Sequence, residues 1–111
     1  PEEPCGAATV QIERSTGITL KPISEESDVK SILAKVEQGD ADAGLVFVSD
    51  VRSAHGKVAG ITFPEAHEAT TEYPIAVLSN GPHKDLGRKF ADLVLSAQGQ
   101  QVLHDAGFSS P

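Results

Sequence analysis

Residues 39–50 read GDADAGLVFVSD, and the order of residue types along this stretch decides how the rest of the chain is read. Gly39 closes a segment of helical periodicity, Asp40 to Asp42 is polar, Ala43 to Val48 is continuously apolar, and Ser49-Asp50 returns to polar residues. Glycine is the commonest left-handed stop of a helix, and a short apolar run bounded by turn residues is the pattern of a buried strand. The stretch therefore predicts helix, turn, buried strand and polar strand end. In α/β proteins a ligand site lies outside the carboxyl ends of the strands, which makes this stretch a candidate edge of one.

Upstream, Val29, Ile32, Leu33 and Val36 fall at i, i+3, i+4 and i+7 and predict an amphipathic helix. Ser24 or Ser27 is its expected N-cap, with Glu25, Glu26 and Asp28 around the first turn, where carboxylates suit the helix dipole. Nearer the start, Pro4 opens a helix-compatible run to Arg14 that stops around Ser15-Thr16-Gly17, and a short helix is predicted there. Ile18, Leu20 and Ile23 form a short extended piece that Pro22 confines to an edge or an end. Pro1-Glu2-Glu3-Pro4 reads as an interior turn, with neither Met nor a signal-like run before it, so a piece of a longer protein is expected.

Downstream, Asp50 is expected to cap a short helical turn running to about His55. Lys57 to Phe63 and Tyr73 to Leu78 are predicted strands, the first ended by Pro64 and the second closed by Ser79-Asn80-Gly81-Pro82. Helical spacing returns from Lys84 through Leu86, Phe90, Leu93 and Val94, and Ser96 is the expected cap of a last helix carrying Val102, Leu103 and Ala106 before Gly107. Strands alternating with helices argue an α/β fold with at least partly parallel pairing.

Composition narrows the function classes. A chain of 111 residues has room for a modest core, and its longest apolar run, Gly44 to Val48, falls far short of the ~20 residues that span a bilayer. The 16 acidic residues outnumber the 9 basic ones, for a formal net charge of -7, and no Lys/Arg cluster could track a phosphate backbone, so nucleic acid is not an expected partner. One cysteine, Cys5, excludes an internal disulfide and a zinc site of the CxxC type. His55, His67, His83 and His104 show neither HExxH nor i,i+4 spacing, so no metal site is expected. Cys5 in a helix first turn could be an activated nucleophile, but no thiol-protease signature accompanies it, and an idle thiol is the preferred account. Glu25-Glu26 and Asp40-Asp42 are sufficiently explained by dipole and turn preferences, and no enzyme is expected.

Taken in order, Pro4-Cys5-Gly6, Ser27-Asp28-Val29, Ala41 to Asp50, Lys57-Val58 to Phe63-Pro64-Glu65, Tyr73-Pro74-Ile75-Ala76-Val77, and Phe90 to Leu95-Ser96 with Gly99 and Gly107-Phe108 resemble the molybdate-binding proteins of ABC importers. These are two-lobed receptors of the periplasmic-binding-protein type. No single motif carries the resemblance; the ordered set does, over essentially all 111 residues and onto the second half of such a protein. It implies an α/β fold made of the second lobe plus the C-terminal helices that return to the first lobe. Residues 1–72 would be the second-lobe segment with the anion-site helix N-termini, and 73–111 the hinge-crossing strand and the C-terminal helices.

In that family a tetrahedral oxyanion lies between the lobes, held by serine hydroxyls and amides of the first lobe and by amides and a tyrosine hydroxyl of the second. Carried over position by position, the amide after the proline falls on Cys5, the amide opening the long helix falls on Val29, and the tyrosine falls on Phe47, which departs from the family pattern. Cys5 and Val29 independently lie in predicted helix first turns, whose N–H groups lack intrahelical partners and bind anions. Such donors act at contact, whereas the net negative charge acts at long range and is screened over about 8 Å at physiological salt. Phe47 has no donor to offer. The resemblance thus implies an extracytoplasmic receptor for molybdate or tungstate, with no cofactor, an ABC permease as partner, and any lipid anchor outside these residues. The rival expectation is a structural module that binds nothing of its own and forms a homo-oligomer.

Overall fold

The computed structural model describes residues 3–111, so the turn read at Pro1-Glu2 lies outside the described residues. The chain divides into two units, the first ending at Thr71 and the second running Glu72–Pro111. The described residues form helices α1 (Pro4–Thr16), α2 (Val29–Gln38) and α3 (Val48–Ser53), a 3-10 helix (Pro64–Ala69), and helices α4 (Lys84–Leu95) and α5 (Ala97–Asp105).

In the first unit, α1 begins with Pro4, whose fixed φ and missing N–H suit a first helical position, and ends where Gly17 turns left-handed with φ 70°. The Gly17 N–H then reaches back to Glu13 O at 2.9 Å. Helix α2 ends in the same way at Gly39, φ 80°, while Asp40 N–H donates to Lys35 O at 2.8 Å. Its N-cap is Asp28, not Ser24 or Ser27: the carboxylate accepts from Ser31 N–H at 3.0 Å and from the Ser31 hydroxyl at 2.9 Å. Glu26 is drawn away from the cap to Lys35, 2.7 Å distant, and Ser24 Oγ bonds the same Lys35 ammonium at 3.1 Å. Helix α1 packs against the 3-10 helix, with the Gln11 side-chain amide donating to the Glu68 carbonyl, and α2 packs against α3.

In the second unit Ser96 separates α4 from α5, its hydroxyl accepting from Gly99 N–H at 3.2 Å and donating to Leu93 O at 2.6 Å, the cap expected from sequence. A side chain at Gly99 would run into the carbonyls of Leu93 and Val94. The chain closes through Gly107, φ 101°, and the Phe108 ring meets Tyr73 edge-on with centroids 5.8 Å apart.

The predicted strands are corrected. Among the described residues no strand is formed: Ile18–Ile23, Ala43–Phe47, Lys57–Phe63 and Tyr73–Leu78 run without regular structure. A strand is stabilised by a ladder to a neighbour, and these stretches do not pair with one another. Nor is the Ala43–Val48 run buried; Leu45, Val46 and Phe47 are half-covered and Val48 is 48% exposed. The helical half of the α/β expectation holds, and the sheet half is not formed within these residues. Among the described residues the buried apolar side chains are Leu33, Ala54 and Ala69, while Ile23, Ile61 and Leu78 are 80%, 87% and 72% exposed. Burial of apolar area is the main favourable term in folding, so this chain carries a thin core.

Candidate functional site

Three residues carried the expectation of an anion site, and the structure places each at or just before a helix N-terminus. Cys5 is the second residue of α1, directly after Pro4, and is half-buried. Val29 is the first residue of α2, behind the Asp28 cap. Phe47 immediately precedes α3 in extended conformation, φ -75° and ψ 158°. The helix here starts three residues earlier than expected, with Phe47 rather than Asp50 at the N-cap, because Asp50 acts from the first turn instead of capping it. Its carboxylate reaches back three residues and accepts from the Phe47 N–H at 3.0 Å.

One of the three is tied, across 40 residues of sequence, to the segment that leads to another. The Cys5 thiol donates to the carbonyl of Leu45 at 3.3 Å, which fastens the segment before α3 to the first turn of α1. Thr9 Oγ1 in turn donates to Cys5 O at 2.9 Å. Burial pushes the Cys5 thiol pKa up, and the negative charge of Asp50 pushes it further in the same direction. The thiol stays protonated at neutral pH, which is the form able to donate to Leu45, and a protonated thiol is a poor nucleophile.

Val29 is linked to this pair through its helix. Helix α2 packs against α3, and its Ile32 occupies the space beside Gly44: a Cβ built on Gly44 would lie 2.5 Å from Ile32 Cγ2. Glycine is needed there for close approach of the backbone to the helix.

The electrostatics are mixed. Helix first turns carry unpartnered N–H groups and the positive end of the dipole, both favourable to an anion. Carboxylates already use part of that capacity. Asp28 takes the Ser31 N–H and Asp50 takes the Phe47 N–H. The hydrogen bond from Ser31 N–H holds the Asp28 carboxyl below the usual carboxylate range, so it stays charged at neutral pH beside Val29. The parts taken by Asp28 and Asp50 had a legible signal, since each carboxylate bonds the residue three places away, the spacing of a capped first turn. What sequence could not tell was which end of that spacing each Asp would serve. Among the described residues no group of three or more His, Cys, Asp or Glu side chains is arranged to hold a metal ion. No described helix is long and apolar enough to cross a membrane.

Comparison with known proteins bears on what such an arrangement serves. Residues 2–109 match the family described as bacterial extracellular solute-binding protein. The chain is 47% identical over all 111 residues to the molybdate-binding protein ModA of Mycobacterium tuberculosis (strain H37Rv), and equally to that of Mycobacterium bovis, in each case covering 42% of the relative's length. To the molybdate-binding protein ModA of Escherichia coli K12 it is 33% identical over 92 residues, which is 82% of this chain and 35% of that protein. The chain therefore spans less than half the length of the relatives it matches. No solved structure matches it.

Proposed function

The chain belongs to the bacterial extracellular solute-binding protein family, and from that premise we propose that it supplies one side of an oxyanion cleft in a receptor for molybdate or tungstate. Identity of 47% over the whole chain to a protein named for molybdate binding is the observation that carries this assignment. Residues 1–72 are the second-lobe segment with the Cys5 and Val29 amides facing the ion, and residues 73–111 are the hinge-crossing strand and the helices that return to the first lobe. The sheet partners of Ala43–Val48, Lys57–Phe63 and Tyr73–Leu78 belong to the remainder of such a receptor, which accounts for their unpaired state here.

The physics of the capture is simple. A dianion loses its hydration in the cleft, and converging N–H donors from helix first turns and from the opposite lobe replace that hydration at fixed positions. Closure of two lobes about a hinge completes the donor set, and the closed receptor hands the ion to an ABC permease outside the cytoplasm. No step of this makes or breaks a covalent bond, and the raised thiol pKa of Cys5 suits a role other than nucleophile.

The rival is a self-associating module without ligand, favoured by the exposure of Ile61, Leu78 and Ile23 at 87%, 72% and 80%. A thermal-shift panel of molybdate, tungstate, sulfate and phosphate, run on the 111-residue chain and on a full-length receptor carrying it, separates the two. A ligand that binds only the native state raises the melting temperature by mass action. The expected outcome is stabilisation of the full-length receptor by molybdate and tungstate and little or none of the isolated chain, which lacks the opposing donors. Submicromolar binding of molybdate by the isolated chain would refute the half-site account, and an unresponsive full-length receptor would refute the oxyanion assignment.

A further inference from the structure

The turn Ser79-Asn80-Gly81-Pro82 follows residues 73–78 and carries the one asparagine of the chain, Asn80. An Asn-Gly pair usually serves a turn by taking positive φ, yet neither residue does so here. The Gly81 N–H donates to Leu78 O at 3.3 Å, beyond the usual ~2.7–3.2 Å, so that amide is weakly held. Asn80 is exposed and lies outside any helix. The connection is fixed on both sides: α4 begins at Lys84, and Val77 rests on it so closely that a Cβ built on Gly87 would lie 3.3 Å from Val77 Cγ1.

We propose that Asn80 is a site of spontaneous deamidation, its carboxamide consumed by the backbone nitrogen of Gly81. Asparagine is among the thermally labile side chains. Hydroxide removes the Gly81 amide proton, the nitrogen attacks Asn80 Cγ to close a succinimide ring, and the Cγ–Nδ2 bond breaks to release ammonia, whose added proton comes from water. A second water then opens the ring. Opening at Cγ leaves aspartate, whereas opening at the main-chain carbonyl leaves an isoaspartyl link that runs through Cβ and Cγ and lengthens the backbone by one atom. Glycine permits the attack because no Cβ crowds its nitrogen. The turn itself does not require that glycine: a Cβ at 81 would meet nothing nearer than Leu78 O at 3.5 Å. Gln38-Gly39 and Gln98-Gly99 offer the same neighbour, but each would close a larger ring, and the glutamines lie in α2 and α5. Either product makes the formal net charge of -7 one unit more negative. The isoaspartyl form also lengthens a connection pinned at Val77 and at α4, which loosens the seat of that helix. None of this depends on the ligand.

The test ages a full-length receptor carrying this chain in mildly alkaline buffer and maps its peptides by mass spectrometry. The mass gain of an amide converted to an acid is expected on the peptide holding Asn80, in separable aspartyl and isoaspartyl forms and at a rate proportional to hydroxide, while the peptides holding Gln38 and Gln98 stay unchanged. Gly81→Ala, which the turn accommodates, is expected to slow the reaction at least about tenfold, equivalent to about 1.4 kcal/mol of barrier. The isoaspartyl form is expected to melt below fresh receptor, whereas Asn80→Asp, with the charge but not the longer backbone, melts with it. An unaltered Asn80 peptide overturns the proposal, as does aspartate with no isoaspartyl form, or a folded Gly81→Ala that ages as fast as wild type. Should Gly81→Ala not fold, the hydroxide dependence decides, since a rate flat with pH overturns attack by the amide nitrogen. An isoaspartyl form that melts with fresh receptor overturns the loosening of α4.

Discussion

Replacing Gly44 with alanine tests how the segment before α3 is seated. The added Cβ would lie 2.5 Å from Ile32 Cγ2 and 3.6 Å from Val36 Cγ2. The second distance is an ordinary contact, but the first is about an ångström too short for two carbons near their optimum of ~3.5–4.0 Å. Ile32 cannot yield by rotation alone, because a β-branched side chain in a helix has essentially one favoured χ1. Either α2 or the segment must move. Overpacking of this kind costs about 1–3 kcal/mol, and the reduced freedom of the unfolded chain returns about 0.4–1 kcal/mol. A net loss of about 1–2 kcal/mol is expected, equivalent to roughly 5–15 °C in melting temperature for a domain of this size. Thermal unfolding followed by far-ultraviolet circular dichroism measures it. Ile32→Ala removes the obstructing Cγ2, so on that background Gly44→Ala should cost nothing or stabilise, giving a coupling of about 1–2 kcal/mol. Equal cost of Gly44→Ala on both backgrounds, or no cost on either, would refute the seating of Gly44 against Ile32.

Further outcomes are expected at the helix ends. Phe47→Tyr adds the hydroxyl that the resemblance to molybdate-binding proteins implies at this position, and a hydrogen bond to a charged ligand is worth about 1.5–3 kcal/mol, so on the proposed oxyanion assignment molybdate affinity of a full-length receptor should rise about ten- to a hundredfold by calorimetry. An unchanged affinity would mean that residue 47 does not face the ion. The Asp28 carboxyl has its folded-state pKa lowered by the Ser31 N–H, so its contribution is present above the ordinary aspartate value of about 4 and is lost as pH falls through the lowered one. Glu26, held down by its bond to Lys35, acts in the same direction. Asp28→Asn keeps a good N-cap without the charge, and should retain the helicity of α2 at neutral pH while reducing the acid-side loss seen by circular dichroism. An identical acid profile in wild type and Asp28→Asn would show that Asp28 does not cap α2.

Helices in this chain were legible because their signals are local. Val29, Ile32, Leu33 and Val36 share one face by spacing alone, and Gly17, Gly39 and Ser96 mark ends through their own backbone freedom or side-chain oxygen. Which carboxylate caps which turn was less legible. Asp28 and Ser27 are equally plausible caps on paper, and Asp50 serves a cap or a third helical position equally well until the backbone before it is known. The 3-10 helix Pro64–Ala69 went unread because Pro64 looks the same as a strand terminator and as a first helical residue.

By itself the sequence determined where α1, α2, α4 and α5 run, the acidic character of the chain, and a family resemblance spread over its whole length. Each of those depends on residues a few positions apart or on simple counts. Only the tertiary structure decided that the Cys5 thiol meets Leu45, that Ile32 leaves no room for a side chain at Gly44, and that Asp50 engages the Phe47 amide. It also decided that the apolar runs at 43–48, 57–63 and 73–78 form no sheet among the described residues. The physical reason is common to both. A helix satisfies its hydrogen bonds within its own segment, whereas a strand and a binding cleft are completed by groups distant in sequence, whose presence no local pattern records.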